Sequence, residues 1–546
     1  MNQSLSSLVV TPATTITEIL NTFIDSENDV LLVDESSVIS EPHMELLTDY
    51  PRSASAALVA MQVNGDTLVR QNRIASASSA SHKVTMGNRR FVGVMRLSQK
   101  QRQEIIVALE NAASLHVVGN ALDLVLVALV RAMVKVDAAE LWAAPYCRSS
   151  DKGVRDETQQ AISQLNMGAL RLRMANRAND GFYSVFFLRK FSKLLTWLAV
   201  RIKATPNQVT LISFAVGLYS AFCFAQGSFR QIILGAALLQ LSIIIDCVDG
   251  ELARYTRQFS QLGAWLDAVT DRVKEYMVFM GLAIGAEKNG RDLWIPAIVM
   301  MLIQTFRHLS DYNFAAVVRI RGEETFAQPV EFMAEFDGIV VTEPPPKGRL
   351  RYWLGKIIQF PIGERWLVIS ASAVIGGAAF TFTIMPILAA ISAIVVYRGR
   401  IILTRKMPTT SISKPLITYQ SDLLGVNRSF TKRFDWIEPS LLRLCEVGFL
   451  IWVFSSVGEI GIPTYIIIFS LIFHHYDNLY RALQGEKKPN WLSALGLFVG
   501  GRILVLGIAA LQGWSLHYFA WYFGILFLFV SSLQWVLAHR ANKIRK

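Results

Sequence analysis

Eight residues between positions 246 and 271 have the types and spacing a phosphoryl-transfer site needs: Asp246, Asp249, Gly250, Ala253, Arg254, Gly263, Asp267 and Asp271. On a helix Asp246 and Asp249 share one face, and Asp267 and Asp271 share another. The stretch falls where one apolar run ends and the next begins, so two helices would each present two carboxylates toward one point. A carboxylate near the middle of a membrane span costs about 2.5–3.5 kcal/mol, and Arg254 alone cannot offset four of them. Divalent cations can. Hard oxygen donors with no His or Cys set nearby point to Mg2+ or Mn2+, and four carboxylates suit two ions that clamp phosphate oxygens. Gly250, Ala253 and Gly263 leave room for a ligand beside the carboxylates, and Arg254 offers a planar fork to a phosphate. A chance match at eight positions is on the order of one in 10^10 at a given start, which sets aside ordinary solvated carboxylates.

The elements that must position these groups are apolar. Of 546 residues, 52% are hydrophobic and 18% charged, and the mean hydropathy is +0.36. That excludes a disordered, collagen-like or disulfide-scaffolded chain. The four Cys lack any CxxC pair, so no zinc or redox motif arises. The net charge of +12, without a zinc finger, RNP motif or base-reading helix, fits loops facing anionic headgroups and argues against nucleic acid. Apolar segments at 208–226, 231–246, 264–285, 293–317, 366–381, 383–397, 441–456, 461–473, 491–512 and 517–538 predict about ten spans. Lys and Arg concentrate in alternate loops, which places both termini and the carboxylates on the cytoplasmic side of the cell membrane. Before the first span, residues 182–204 carry Phe187, Phe191, Leu194, Leu198 and Ile202 at helical spacing among basic residues, an amphipathic interfacial helix. Thr205 then suits a helix cap and Pro206 the first turn.

Residues 1–175 read as a soluble α/β domain without a secretory signal. Strand-type runs at 30–33, 57–60 and 91–94 alternate with helical patterns such as 101–114, and the Ser/Ala stretch 75–81 reads as loop. A proline-rich run at 343–347 marks a long cytoplasmic connection. His474 and His475 are expected at a helix end as interface residues. The last four spans, with few charges in their centres, form an extension over 406–546 whose function the sequence does not give.

The pattern Asp-x2-Asp-Gly-x2-Ala-Arg-x8-Gly-x3-Asp-x3-Asp resembles the signature of the CDP-alcohol phosphatidyltransferase family, and every position matches. The 205–210 stretch is similar to the start of that family's first span. The resemblance covers about 180–405 and implies a multi-pass α-helical membrane protein with a six-helix core over 205–405. It implies that an acceptor hydroxyl attacks a CDP-linked donor and CMP leaves. The donor would be CDP-diacylglycerol in phospholipid synthesis or, alternatively, a soluble CDP-polyol. A lipid-binding or transport pseudoenzyme is the alternative from another class, and it predicts a damaged motif position that is not seen. By the same resemblance Asp246, Asp249 and Asp267 hold the metals, while Asp271 completes the site and acts as general base. Gly250, Ala253, Arg254 and Gly263 line the CDP site, and the protein is a homodimer. Arg307, Arg398 and Arg400 are candidates for binding the phosphate of a polyol-phosphate acceptor, with topology anchoring as the alternative for the last two. The N-terminal region faintly resembles the nucleotidyltransferase domains fused to this core in some relatives. It lacks their Gly-rich basic first loop, so a degenerate, regulatory or scaffolding domain is expected.

Overall fold

The computed structural model describes residues 6–48, 54–70, 72–141, 144–175, 180–325, 349–406, 419–421, 426–428, 434–483 and 488–544. The proline-rich run at 343–347 lies outside them. The chain divides into two compact units, one formed mainly by the residues before Asp180 and the other by those from Asp180 onward.

In the first unit the strands are β1 (Ser6–Val10), β2 (Val30–Asp34), β3 (Ser37–Val38), β4 (Ser55–Gly65), β5 (Thr67–Arg70), β6 (Arg73–Ala77), β7 (Gly87–Leu97), β8 (Val136–Leu141) and β9 (Cys147–Arg148). Seven of them form one mixed sheet in the order β1-β2-β7-β4-β8-β6-β5, and β3 pairs with β9 in a short ribbon. β1 runs parallel to β2 and β8 parallel to β4, while β7 lies antiparallel between β2 and β4. The helices are α1 (Ile16–Asp25), α2 (Glu41–Thr48), α3 (Arg102–Ser114), α4 (Ala121–Arg131), α5 (Lys152–Ser163) and α6 (Met167–Met174). Phe23, Ile105, Leu109 and Val125 of α1, α3 and α4 close one face of the sheet around Leu32, Val59 and Met95. Leu31, Leu58 and Val92 meet Leu47 of α2 on the other. Both faces are covered, which is why the strands read as continuous apolar runs rather than alternating ones. The expected loop at 75–81 is corrected at its start: 73–77 is strand β6, because its small side chains fit an antiparallel pair with β5.

In the second unit a π-helical turn, Ser184–Leu188, leads into α7 (Arg189–Arg201). Then come α8 (Pro206–Ala225), α9 (Phe229–Thr256), α10 (Gln261–Lys288), α11 (Trp294–Thr325), α12 (Arg349–Ile358), α13 (Ile362–Lys406), α14 (Glu438–Ser456) and α15 (Ile462–Leu483). The last are α16 (Asn490–Leu495), α17 (Phe498–Leu511), α18 (Leu516–Phe523) and α19 (Ser531–Ile544). Thr205 and Gln208 cap α8 reciprocally, each side chain accepting from the other's backbone N–H. Along α7, Phe191, Leu194, Trp197 and Leu198 are exposed.

Among the described residues six helices are long and apolar enough to cross a membrane: α8, α9, α13, α14, the α16–α17 pair and the run from α18 through α19. α13 is two helices joined at a sharp turn. Gly377 adopts φ 69°, and Ser372 Oγ donates to Thr381 Oγ1 at 3.0 Å. Nine residues of straight helix would hold those two groups roughly 13 Å apart, so the chain doubles back there. α10, α11 and α15 are also long, but the charged residues they carry lower their hydropathy. The protein is a multi-pass α-helical membrane protein with an N-terminal α/β domain.

Candidate active site

The carboxylates are brought together by the turn between α9 and α10. Arg257 ends α9 in the left-handed conformation, and Ser260 caps α10 by accepting from Gly263 N at 2.8 Å. A Cβ on Gly263 would fall 2.7 Å from Asn207 Oδ1 and from Ser260 Oγ, so a larger residue would have to displace the side chains at the start of α8 and at the α10 cap. One carboxylate oxygen each of Asp246, Asp267 and Asp271 lies within 4.8 Å of the others. Asp249 does not join that group. It is 6% exposed and its Oδ2 accepts from Thr210 Oγ1 at 2.6 Å. Gly250 faces Arg254, whose Nη1 would lie 3.2 Å from a Cβ placed there. Ala253 is one turn beyond Asp249 and half-buried.

Sequence reasoning missed Lys274. Its fully buried ammonium donates to Asp246 Oδ1 at 2.5 Å and to Ser213 Oγ at 2.9 Å, and lies 3.0 Å from Asp271 Oδ1. It also sits 5.2 Å from the centre of the Trp366 ring. Gly217 makes the space, since a Cβ there would come within 2.7 Å of the lysine stem. The legible signal was a lysine one turn after Asp271 inside an apolar run. Asp271 Oδ1 is buried and receives no hydrogen bond of good geometry. Such an oxygen, with two further carboxylates within reach, fits a divalent cation whose other neighbours are hard oxygens.

Glu251 was also missed. It is fully buried and accepts from Arg189 Nη1 at 2.6 Å, Ser192 Oγ at 2.7 Å and Thr196 Oγ1 at 2.6 Å. These bonds fasten α7 beside the motif. Ser192 and Thr196, four apart on a helix of otherwise basic and apolar residues, were the legible trace of it.

The three candidate acceptor arginines separate. Arg307 donates to the carbonyls of Gln359 and Phe360, and its Nε is 3.9 Å from Asp311 Oδ2. Arg400 is buried, bonds Asp311 Oδ1 and stacks near Phe314 and Tyr397. Arg398 is exposed, two residues away on the same helix. Arg365, which the sequence did not single out, shares the Phe360 carbonyl with Arg307 and pairs with buried Glu275.

Two expectations about the last spans are corrected. His474 and His475 lie inside α15, not at its end, and are 1% and 4% exposed. His475 Nε2 meets Glu446 Oε2 at 3.1 Å because α14 packs alongside. Nor are the centres poor in charge: Arg443, Glu446, Asp477, Arg481 and Arg502 are all buried there, paired with one another.

Residues 203–340 match the family model described as CDP-alcohol phosphatidyltransferase, and residues 370–544 match one described as "Family of unknown function (DUF5941)". The chain is 33% identical over 159 residues to a "Bifunctional IPC transferase and DIPP synthase" of Archaeoglobus fulgidus, covering 29% of each chain. It is 40% identical over 123 residues to the protein of the same name from Thermococcus kodakarensis, 22% of this chain and 27% of that one. With the "Archaetidylinositol phosphate synthase" of Pyrococcus horikoshii it shares 33% over 98 residues, 18% of this chain and 48% of the relative. The chain thus spans about half or less of the length of these relatives. Motif, geometry and family match coincide on one segment: residues 203–340 form a CDP-alcohol phosphatidyltransferase domain.

Proposed function

We propose that the protein is an integral-membrane CDP-alcohol phosphotransferase. The observation that carries this reading is the convergence of Asp246, Asp267 and Asp271 within 4.8 Å on two helices that hold the complete family motif. The acceptor hydroxyl oxygen attacks the phosphorus bearing the alcohol group of the CDP-linked donor. The bond from that phosphorus to the bridging oxygen breaks, and CMP leaves with the electron pair. Asp271 takes the hydroxyl proton, and Lys274, 3.0 Å from its Oδ1, holds that carboxylate in place. Gly250, Ala253 and Gly263 admit the nucleotide, and Arg254 binds its phosphate. Asp246, Asp249, Asp267 and Asp271 would hold two Mg2+ or Mn2+ ions, which would supply charge stabilisation at the transferring and departing phosphates.

The donor in this reading is CDP-diacylglycerol, drawn from the membrane that the interfacial helix α7 touches. The acceptor is a polyol phosphate, held by Arg307, Arg400 and Arg365, with Arg398 at the mouth. The names of the relatives, archaetidylinositol phosphate synthase among them, favour inositol phosphate. The site and both termini face the cytoplasm, the chain makes ten crossings, and the protein acts as a homodimer. The domain before residue 176 is regulatory or scaffolding.

The test is CMP release by the purified protein in detergent with Mg2+. CDP-diacylglycerol and CDP-inositol are each offered inositol, inositol phosphate and glycerol phosphate. Release that needs CDP-diacylglycerol and one polyol phosphate supports the reading. Release only from CDP-inositol moves the protein to soluble donors, and absence of CDP binding removes the enzyme assignment. Asp271→Asn should lower turnover by roughly 10²–10⁴-fold while nucleotide binding persists.

A further inference from the structure

The helix that carries half of the carboxylates is gripped from behind by the C-terminal segment. At about 100° per residue, Gly263, Asp267, Asp271 and Lys274 occupy an arc of about 80° on α10. Trp265, Arg272 and Tyr276 occupy a narrow arc on the opposite side. Every one of those three is tied, directly or through one residue, to α15. Trp265 Nε1 donates to Asp477 Oδ1 at 3.2 Å. The Tyr276 and Tyr476 hydroxyls are 3.1 Å apart. Arg272 Nη1 lies 3.0 Å from His308 Nε2, and the other ring nitrogen of His308 lies 3.1 Å from the Tyr476 hydroxyl. Tyr465 OH, also on α15, donates to the backbone carbonyl of Tyr276 at 2.7 Å. The grip is itself anchored, since Asp477 accepts from Arg481 Nε at 2.9 Å and from Ser531 Oγ of α19 at 2.6 Å. Trp265, Tyr276, Tyr476 and Asp477 are all buried.

We infer that α15 fixes the rotation of α10 about its own axis, with Tyr476 and Asp477 as positioning residues for the carboxylate cluster. Carboxylate oxygens stand roughly 5–6 Å from a helix axis, so a 10° roll moves them about 1 Å. A displacement of that size breaks a metal coordination set and costs about 10²-fold in a positioned reaction. Apolar packing alone resists such a roll weakly, because apolar contacts have no direction; hydrogen bonds on the far face do have one. The segment that matches a family of unknown function thereby acquires a role, as a covalently attached brace for the core. The inference rests on the reading of α10 as the cation-bearing helix and adds two residues outside the motif.

The experiment compares wild type with Tyr476→Phe and Trp265→Phe, each removing one hydrogen-bonding group and keeping an aromatic ring. Mn2+ affinity is measured by electron paramagnetic resonance on the full-length protein in detergent, beside kcat and donor KM for CMP release and the metal-free thermal midpoint. Both variants should bind Mn2+ about tenfold more weakly and lose about 10–10²-fold in kcat, with donor KM within about twofold of wild type. Wild-type Mn2+ affinity in both variants overturns the inference. So does a loss of affinity that only follows a fallen metal-free midpoint, since α15 would then support the fold in general. If wild type binds Mn2+ but releases no CMP from any donor, the proposed activity fails, while the Mn2+ comparison still decides the role of α15.

Discussion

Lys274 Nζ lies 3.0 Å from Asp271 Oδ1, one turn along the same helix, so the carboxylate cluster contains a cation of its own. The ammonium is fully buried and also holds Asp246, which joins the last carboxylate of the motif to the first. Removing one partner from a buried charged group costs about 3–5 kcal/mol, because the remaining charges are left without compensation. Lys274→Met should therefore lower the thermal midpoint of the metal-free protein. Mn2+ should restore most of that loss, since a bound cation stabilises the folded state in proportion to its affinity. Differential scanning fluorimetry with and without Mn2+ checks this, and equal Mn2+ stabilisation of wild type and variant would contradict it.

A second prediction concerns helix spacing. Gly281 and Gly285 lie on one face of α10, and a Cβ on either would come within 2.2 Å of the carbonyl oxygens of Ala221 and Phe224 on α8. Backbone carbonyls cannot swing aside, so Gly281→Ala must push the two helices apart, at a cost of about 1–3 kcal/mol. The same helix pair carries Thr210 and Ser213 on one side and Lys274 on the other. Gly281→Ala should therefore lower both the thermal midpoint and CMP release. Gly399→Ala, with nothing within 4 Å of its added carbon, should leave both unchanged.

A third prediction concerns acid. Asp34, at the end of β2, is buried, which alone would raise its pKa; hydrogen bonds from Ser36 and the charge of Arg148 overcome this and hold it below the ordinary value. A lowered folded-state pKa contributes stability that is present above the unfolded value and lost as pH falls through the folded one. Asp123, on the other side of Arg148, is raised by burial, with Arg148 only partly offsetting and Asp66 and Asp34 adding repulsion. Its charged form is disfavoured in the fold, so acidification relieves it. Asp34→Asn should thus cost roughly 1.5–3 kcal/mol near neutral pH, and the difference from wild type should vanish below the carboxylate range. Urea denaturation of the full-length protein, followed by a probe on α3, measures it. A pH-independent difference would show that Arg148 is not the source.

The motif was legible because phosphoryl transfer restricts residue types at fixed helical intervals, and Asp246 through Asp271 show those intervals without any partner being known. The helical runs were legible for the same reason that apolar length is legible. What escaped the sequence were contacts that depend on which helices become neighbours. Lys274 reads as one more charge until α8 brings Ser213 beside it. His474 and His475 read as a helix end because the apolar run stops at Phe473, yet the helix continues to Leu483 on buried ion pairs that hydropathy counts against it. The division between the two apolar segments within α13 falls near residue 382 in the sequence. The chain turns instead at Gly377, where glycine tolerates the φ of 69° that the reversal requires.

The last prediction separates the four aspartates. Asp246, Asp267 and Asp271 share a space of less than 4.8 Å, whereas Asp249 is held aside by Thr210 on α8. If one cation sits among the first three, Asp249 serves a second ion that binds later or more weakly. Two ions should then bind the wild-type protein with distinct affinities. Asp249→Asn should keep the tighter Mn2+ ion and lose the weaker, lowering the stoichiometry toward one. Asp267→Asn should instead weaken the tighter ion, because it removes one of three converging donors. Equilibrium dialysis with Mn2+ distinguishes these outcomes without any assay of turnover. Equal loss from both substitutions would mean that Asp249 leaves Thr210 and joins a single shared cluster, and the Thr210 hydrogen bond would then be a resting contact that cation binding breaks.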